Sequence, residues 1–261
     1  MKIMASKREY PTYDDYAASG KFSMGQLTIL KLAFSMGEPP KLISLLANPE
    51  FTEAQMNSIF YAIDLKVSLR ELSLYADPSF STEQMEVLTH YARYGQGGDF
   101  PISELEKMAN PNLSPVEMTA IGVSSLRNFT DEQYHHLLNL LERYQITRPQ
   151  DVYDYVSAAR YNLSTEQADL VYKSNLDQYQ KEVVLDGFIC GLPYEQVKLY
   201  ADPKIESGKM DELRIALSNG APIDDIVDFL SDEYSQYDVR DYCYDMGYYA
   251  YNEDDDDWED E

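Results

Sequence analysis

Few residues in this sequence have the side chains that ligate metals or act as nucleophiles. The histidines are His90 and the adjacent pair His135 and His136, and the cysteines are Cys190 and Cys243. Adjacent helical residues point about 100° apart, so the histidine pair does not share a metal as an i, i+4 pair does. Cys190 lies in an apolar run and is predicted to be a core thiol, whereas Cys243 is predicted to be a thiol of the C-terminal tail. We therefore predict structural or surface roles for these side chains, with no catalytic residue.

Two further motifs have residues that occur in ligand-binding loops but lack the rest of the pattern. The glycine-rich stretch Tyr94–Asp99 lacks the Lys-Ser/Thr pair of a phosphate loop and is predicted to be an inter-helix loop. The run Asp254–Asp257 lacks the alternating spacing and the distal glutamate of a calcium loop. No pair among the 46 acidic residues stands out for acid–base work. The sequence therefore predicts a protein without enzymatic activity, metal or cofactor.

The charge balance restricts the class of partner. The chain has 261 residues, with 46 Asp and Glu against 21 Lys and Arg, and a formal net charge of −25. Such a surface repels phosphate, so direct binding to nucleic acid or to an anionic membrane is not expected. The sequence has no apolar run of a signal peptide or membrane helix, and only two cysteines. We expect a cytoplasmic location in a bacterial cell. The gene would belong to the bacterium itself or to a phage or another mobile element.

The acidic residues are concentrated at the C-terminal end. Residues 224–261 hold 16 Asp and Glu, seven tyrosines and one base, Arg240. Closely spaced carboxylates resemble the charge of phosphates, and aromatic rings stack on arginine guanidinium groups. The alternative is a solvated tail that only increases solubility. The residues predicted to bind a partner are Asp241, Tyr242, Tyr244, Asp245, Tyr248, Tyr249, Tyr251, Glu253, Asp254, Asp255, Asp256, Asp257, Trp258, Glu259, Asp260 and Glu261.

The rest of the chain is a repeat of about 30 residues. The apolar residues that lead the repeat units recur at intervals of mostly 29 to 34, with two short intervals of 16 and 13. Six of the eight leading residues are followed by Ser or Thr and, three residues later, by Gln or Glu, which predicts a capping box at a helix start. Flanking apolar residues, such as Phe51 before Thr52 and Met56 after it, form a hydrophobic staple. The predicted boxes begin at Ser23, Thr52, Ser81, Ser114, Thr130 and Ser164.

Each unit also contains signals for a second, shorter helix. Capping boxes at Ser68 and Ser103 and a proline start at Thr147–Gln150 predict where such helices begin. They end before Asn-Pro or Asp-Pro pairs, because proline disfavours the helical conformation of the residue before it. Those pairs begin at Asn48, Asp77, Asn110 and Asp202, and the glycines predicted to end first helices are Gly37, Gly95, Gly191 and Gly220.

A two-helix unit of about 30 residues stacks on its neighbours to bury its apolar face. We therefore predict an all-α fold, a helical-repeat solenoid of short antiparallel helix pairs with an acidic C-terminal segment. The predicted parts are an N-terminal extension (1–20), the α-helical repeat domain (21–235) and the acidic, tyrosine-rich segment (236–261).

The pattern Phe-Ser/Thr-x-x-Gln-Met followed by Leu-x-x-Tyr-Ala-Asp-Pro, clearest at residues 51–85 and 199–210, resembles repeats in uncharacterised proteins of gut Firmicutes and their mobile elements. The resemblance covers roughly residues 20–230. It implies an α-repeat fold of bacterial or phage-like origin and implies no catalytic residues. The units at 113–128 and 163–175 depart from the pattern, which argues against a regular superhelix.

Two functions follow from these features. The first is a non-enzymatic inhibitor that binds the basic nucleic-acid-binding surface of a host-defence nuclease, such as a CRISPR effector, by nucleic-acid mimicry, as acidic anti-CRISPR and anti-restriction proteins do. The alternative is a protein-protein interaction scaffold whose repeat domain holds its partner. The inhibitor is the more testable hypothesis, because it requires salt-sensitive binding through the acidic segment.

Overall fold

The computed structural model describes residues 9–96 and 100–249. Within those residues the chain forms sixteen α-helices and one 3₁₀ helix, with no strand. The predicted all-α fold is therefore confirmed. Contacts divide the chain into two compact units, one up to Val156 and the other from Ser157 onward, and we describe each by itself.

The first unit contains nine α-helices of the described residues and ends in the 3₁₀ helix Pro149–Tyr155. The α-helices are α1 (Tyr13–Ala18), α2 (Met24–Ser35), α3 (Pro40–Leu46), α4 (Glu53–Asp64), α5 (Leu69–Leu72), α6 (Thr82–Gln96), α7 (Ile102–Met108), α8 (Pro115–Leu126) and α9 (Asp131–Arg143).

The second unit begins inside a short helix, α10 (Val156–Arg160). Its further helices among the described residues are α11 (Thr165–Tyr172), α12 (Gln178–Ile189), α13 (Tyr194–Tyr200), α14 (Ser207–Ser218), α15 (Ile223–Phe229) and α16 (Gln236–Asp245).

Reciprocal hydrogen bonds at the helix starts confirm most of the predicted capping boxes. At α4, the Thr52 hydroxyl accepts the N–H of Gln55 at 3.1 Å, and the N–H of Thr52 donates to Gln55 Oε1 at 2.8 Å. These bonds satisfy two N–H groups that a helix start leaves without a partner. The same pair of bonds forms at Ser23, Ser68, Ser81, Ser114, Thr130 and Ser164.

The prediction at Ser103 is wrong. Helix α7 begins at Ile102 after Pro101, without a side-chain cap. The ring of Pro101 restricts φ of that residue to a value that suits the position before a helix. Helix α7 therefore starts without a side-chain hydroxyl as its cap. Three capping boxes were not predicted, and they pair Thr12 with Asp15, Asp177 with Gln180 and Ser235 with Asp238.

The turn after a first helix takes a residue with positive φ. Gly37 and Gly191 have φ of 72° and 85°, as predicted, whereas Lys66 and Asn128 adopt the same conformation with φ of 65° and 53°. A side chain costs about 1–2 kcal/mol there. Gly95 also lies near the end of its helix, although α6 continues one residue further, to Gln96.

In the first unit, the helices that open successive repeats contact one another in chain order, α2 with α4, α4 with α6, and α6 with α8. The second helices α3 and α7 each contact the first helix before them and the first helix after them. Their shared core buries aromatic and aliphatic side chains, among them Phe51, Met56 and Tyr75. The Tyr75 hydroxyl, buried with its ring, is 2.9 Å from Thr89 Oγ1.

A buried glutamine joins each of these repeats to the next. While Gln55 Oε1 completes its own capping box, Gln55 Nε2 donates to the carbonyl oxygens of Pro78 at 3.0 Å and Phe80 at 2.6 Å. Gln26 and Gln84 make the corresponding bonds one repeat earlier and one repeat later. The glutamine that completes a capping box therefore also holds the segment that leads into the following repeat.

The second unit uses the same device. Gln180 Nε2 donates to the carbonyls of Pro203 and Ile205, which links α12 to the start of α14. At the next repeat Lys209 takes the position of the glutamine, and its Nζ donates to the carbonyls of Ser231 and Tyr234 at 2.7 Å each. Helix α14 in turn contacts α16, so α16 occupies the place of the next first helix.

The regular pattern changes where an acid replaces the glutamine. Glu117 completes the capping box of α8, but a carboxylate has no hydrogen to donate to a carbonyl of the following turn. After α8 the chain proceeds directly to α9, and both α8 and α9 contact the 3₁₀ helix. The short interval of 16 residues in the sequence coincides with this change.

Both predicted end segments contribute helices to the units. Helix α1, within the predicted extension 1–20, contacts α2, and its Tyr16 ring lies 5.7 Å from that of Phe22. The boundary predicted between residues 235 and 236 falls at the capped start of α16, which contacts α14. Residues 236–249 thus belong to the helical array, and residues 1–8 and 250–261 lie outside the described residues.

Candidate functional site

The C-terminal helix α16 is held to the second unit by one of its faces. Val239 and Cys243, four residues apart, are fully buried against the unit. The prediction for the two cysteines is wrong in both cases, because Cys243 is buried whereas Cys190 is exposed at the end of α12. Burial raises the pKa of the Cys243 thiol to about 11, so it remains protonated at neutral pH.

A charged pair reinforces this attachment. Glu212 of α14 is buried, and its Oε1 accepts hydrogen bonds from Arg240 Nε at 2.8 Å and Nη2 at 2.5 Å. The Tyr249 hydroxyl donates to the other carboxylate oxygen. The hydrogen bonds that Arg240 donates to Glu212 raise the pKa of Arg240 above its ordinary value. The one base of the acidic region is therefore already occupied by an internal partner.

The opposite face of α16 carries tyrosine and aspartate side chains in alternation. Tyr237, Asp241, Tyr244 and Asp245 are exposed and lie at i, i+4, i+7 and i+8, which places them along one stripe of the helix. Asp238 is exposed beside them. We call these five residues the α16 face.

Two hydrogen bonds donated by Ser235 fix the first carboxylate of the α16 face. Asp238 Oδ2 accepts from the Ser235 N–H at 2.6 Å and from its hydroxyl at 2.7 Å. Those bonds lower the pKa of Asp238 below its ordinary value, so its negative charge persists into mildly acidic solution. A rise of 1.5 Å per residue spreads the carboxylates of Asp238, Asp241 and Asp245 over about 10 Å of the helix axis.

The tyrosines of this region that lie off the α16 face are packed more deeply against their neighbours. The Tyr242 hydroxyl donates to Asp225 Oδ2 at 2.5 Å, and its ring centroid lies 5.0 Å from that of Phe229 in α15. Tyr248 lies 6.0 Å from Tyr242, and Tyr249 stacks on Tyr244 at 4.8 Å. Tyr242, Tyr248 and Tyr249 are half-buried, so of the six predicted binding residues described here, Asp241, Tyr244 and Asp245 are the exposed ones.

The binding residues predicted from the sequence start at Asp241, so they leave out the first part of this surface. Tyr237 and Asp238 belong to the α16 face, and the neighbouring helix α15 exposes Asp224 and Asp228. Between residues 223 and 249 there are eight carboxylates and one base. The helical spacing of Tyr237, Asp241 and Tyr244 was the signal that could have placed them on one face.

Ten predicted binding residues lie outside the described residues, and their role stays a prediction. They are Tyr251, Glu253, Asp254, Asp255, Asp256, Asp257, Trp258, Glu259, Asp260 and Glu261.

The described residues hold no group of three or more His, Cys, Asp or Glu side chains placed to bind a metal ion. His135 Nδ1 is 2.6 Å from the carbonyl oxygen of Asp131, one turn earlier in α9. No helix among residues 9–96 and 100–249 is both long and apolar enough to cross a membrane.

Comparison of the chain with protein-family models, with curated proteins and with solved structures gave no match.

Proposed function

We propose that this protein is a non-enzymatic inhibitor that docks the α16 face onto a basic, nucleic-acid-binding surface of another protein. The observation that carries the proposal is the alternation of tyrosine and aspartate on a helix whose opposite face is packed. A host-defence nuclease, such as a CRISPR effector or a restriction enzyme, is the partner class whose basic groove fits this surface.

Two physical properties of the α16 face support that partner class. Carboxylates spaced along a helix present negative charge where a basic groove holds the phosphates of nucleic acid. Exposed tyrosine rings beside them stack on arginine side chains, which such grooves contain. The net charge of −25 further increases the rate of encounter with a basic partner at low salt.

Because one face of α16 is packed against α14, the binding surface is ordered before the partner arrives. A preformed surface loses less conformational entropy on binding than a flexible acidic tail does. Residues 250–261 add eight further carboxylates and are proposed to extend the interaction.

The test uses the full chain as bait in a bacterial host lysate, followed by identification of the retained proteins and a competition with nucleic acid. We expect nucleic-acid-binding enzymes to be retained, and to be released by moderate salt and by added DNA or RNA. The double variant D241N/D245N should weaken binding roughly tenfold, because it removes two charges from the α16 face without touching the Ser235 cap.

The matched control is E50Q/D64N, which removes two exposed acids from the first unit and changes net charge by the same amount. A further variant that ends after Tyr249 separates the contribution of residues 250–261 from that of the α16 face. Binding that resists both salt and nucleic acid, and is equal in D241N/D245N and wild type, would contradict the inhibitor and favour the scaffold.

A further inference from the structure

A cavity of about 420 Å³ lies in the first unit between helix α6 and the 3₁₀ helix Pro149–Tyr155. Its volume falls within the range of small-ligand pockets. Six of its lining side chains, Glu83, Glu86, Val87, His90, Tyr91 and Tyr94, recur at three- and four-residue steps along α6. They therefore form one stripe of that helix, and the 3₁₀ helix adds Tyr153 from across the cavity.

Aromatic rings make up much of the cavity wall. The His90 and Tyr94 ring centroids are 5.1 Å apart, and those of Tyr91 and Tyr94 are 6.4 Å apart. The Tyr91 hydroxyl lies 3.2 Å from the Tyr153 hydroxyl and 3.3 Å from the Thr119 carbonyl oxygen, which it can reach as donor. Tyr91 is buried, whereas Tyr94 and Tyr153 are 45% and 46% exposed, so their rings remain accessible to a ligand.

The charges that line the cavity are negative. Glu83 and Glu86 are exposed one helical turn apart at its edge. Partial burial and the neighbouring Arg93 lower the pKa of His90 below its ordinary value, so its ring is mostly neutral at pH 7. Burial also raises the pKa of Tyr91, which keeps its hydroxyl protonated.

We propose that this cavity binds the guanidinium group of an arginine side chain presented by a partner protein. Tyrosine faces attract a cation, and carboxylates within the same pocket complete its charge. A guanidinium suits this lining better than an ammonium, because it is planar, stacks on aromatic rings and donates several hydrogen bonds in a fixed geometry. The site lies in the first unit and is independent of the α16 face.

The test is a nuclear magnetic resonance titration of the full chain with N-acetyl-arginine amide. Parallel titrations use the citrulline amide, which is neutral and of similar shape, and the lysine amide. We expect chemical-shift changes at residues 83–94 and 149–153, with arginine binding at least fivefold more tightly than lysine and tenfold more tightly than citrulline.

The variant E83Q/E86Q should weaken arginine binding at least fivefold, and Y94A should do the same by removing one ring. E50Q/D64N and Y61A are the matched controls, since Tyr61 is an exposed tyrosine of α4 in the same unit. Because Glu83 and Glu86 are exposed, their replacement leaves the core intact and keeps the test interpretable if Y94A folds poorly.

Equal binding of arginine and citrulline, or an unchanged affinity in E83Q/E86Q, would overturn the proposal. Equal binding of lysine would overturn the assignment to a guanidinium. The D241N/D245N variant should bind arginine amide as wild type does, so failure here and failure of the α16 interaction are distinguished.

Discussion

At the scale of single residues, both polar atoms of the Gln55 side-chain amide form hydrogen bonds, and they do so with different parts of the chain. Its oxygen accepts from the N-cap of its own helix, and its nitrogen donates to two carbonyls that precede the next helix. A carboxylate can replace the first interaction, as Glu117 does in α8, but not the second. The choice between glutamine and glutamate at this position therefore decides whether one repeat can be fixed to the next in this way.

We expect Gln55→Glu to lower the free energy of unfolding by roughly 2–4 kcal/mol, because two carbonyls lose their donor and face a buried negative charge instead. Urea denaturation followed by circular dichroism measures the change. Gln167→Glu is the matched control, since Gln167 holds the same helix position and completes the capping box of α11. Its expected cost is below about 1 kcal/mol, and equal losses in both variants would show that the amide nitrogen contributes nothing.

At the scale of elements, α16 shows how a helix with a strongly acidic sequence joins a packed array. Its buried side consists of Val239 and Cys243, and Arg240 neutralises the buried carboxylate of Glu212 in α14. The same attachment turns Tyr237, Asp241 and Tyr244 outward. The face that is proposed to bind a partner therefore depends on the pair between Glu212 and Arg240.

Replacing Arg240 with methionine should destabilise the protein by about 2–4 kcal/mol, because it leaves the Glu212 carboxylate buried without its cationic partner. The control is Arg70→Met, which removes one side of the exposed Arg70–Glu106 pair at 3.7 Å and should cost less than about 1 kcal/mol.

Both Arg240→Met and Arg70→Met remove one positive charge, so their urea midpoints are directly comparable. The double variant Glu212→Gln/Arg240→Met should recover part of the loss. If Arg240→Met and Arg70→Met have the same midpoint, Glu212 does not depend on Arg240.

At the scale of the whole molecule, the two compact units share a helix-pair design and a surplus of negative charge. The net charge of −25 is unevenly distributed, since residues 224–261 carry 16 of the 46 acidic residues and one base. Self-repulsion of this size opposes the compact state and is screened by salt. Stability and partner binding should therefore respond to ionic strength in opposite directions.

We expect the urea midpoint to rise as NaCl increases from about 10 mM to about 0.15 M, where the Debye length falls from about 30 Å to about 8 Å. Near pH 4.3, the isoelectric point of the sequence, the net charge is close to zero and the same salt step should have little effect. An equal rise at both pH values would point to salting-out instead of screened repulsion.

Local interactions made the helix starts predictable. A capping box joins residues three apart, so the two residue types at Thr52 and Gln55 are enough to predict the start of α4. The capping box predicted at Ser103 does not form, because α7 begins at Ile102, directly after Pro101. For α16, the concentration of acidic residues suggested a tail, although Ser235 with Asp238 is a capping pair and Val239 with Cys243 has helical spacing.

By itself the sequence determined the all-α fold, the helix starts and the surplus of acidic residues at the C-terminal end, because these depend on composition and on contacts between near neighbours. Only the tertiary structure decided which cysteine is buried, which tyrosines of α16 face outward and which partner each glutamine amide has in the next repeat. It also brought Tyr153 to the aromatic stripe of α6, about 60 residues earlier in the chain. These outcomes depend on contacts between residues far apart in sequence. The spacing of residues along one helix shows which of them share a face, but it does not specify which face is buried or what it contacts.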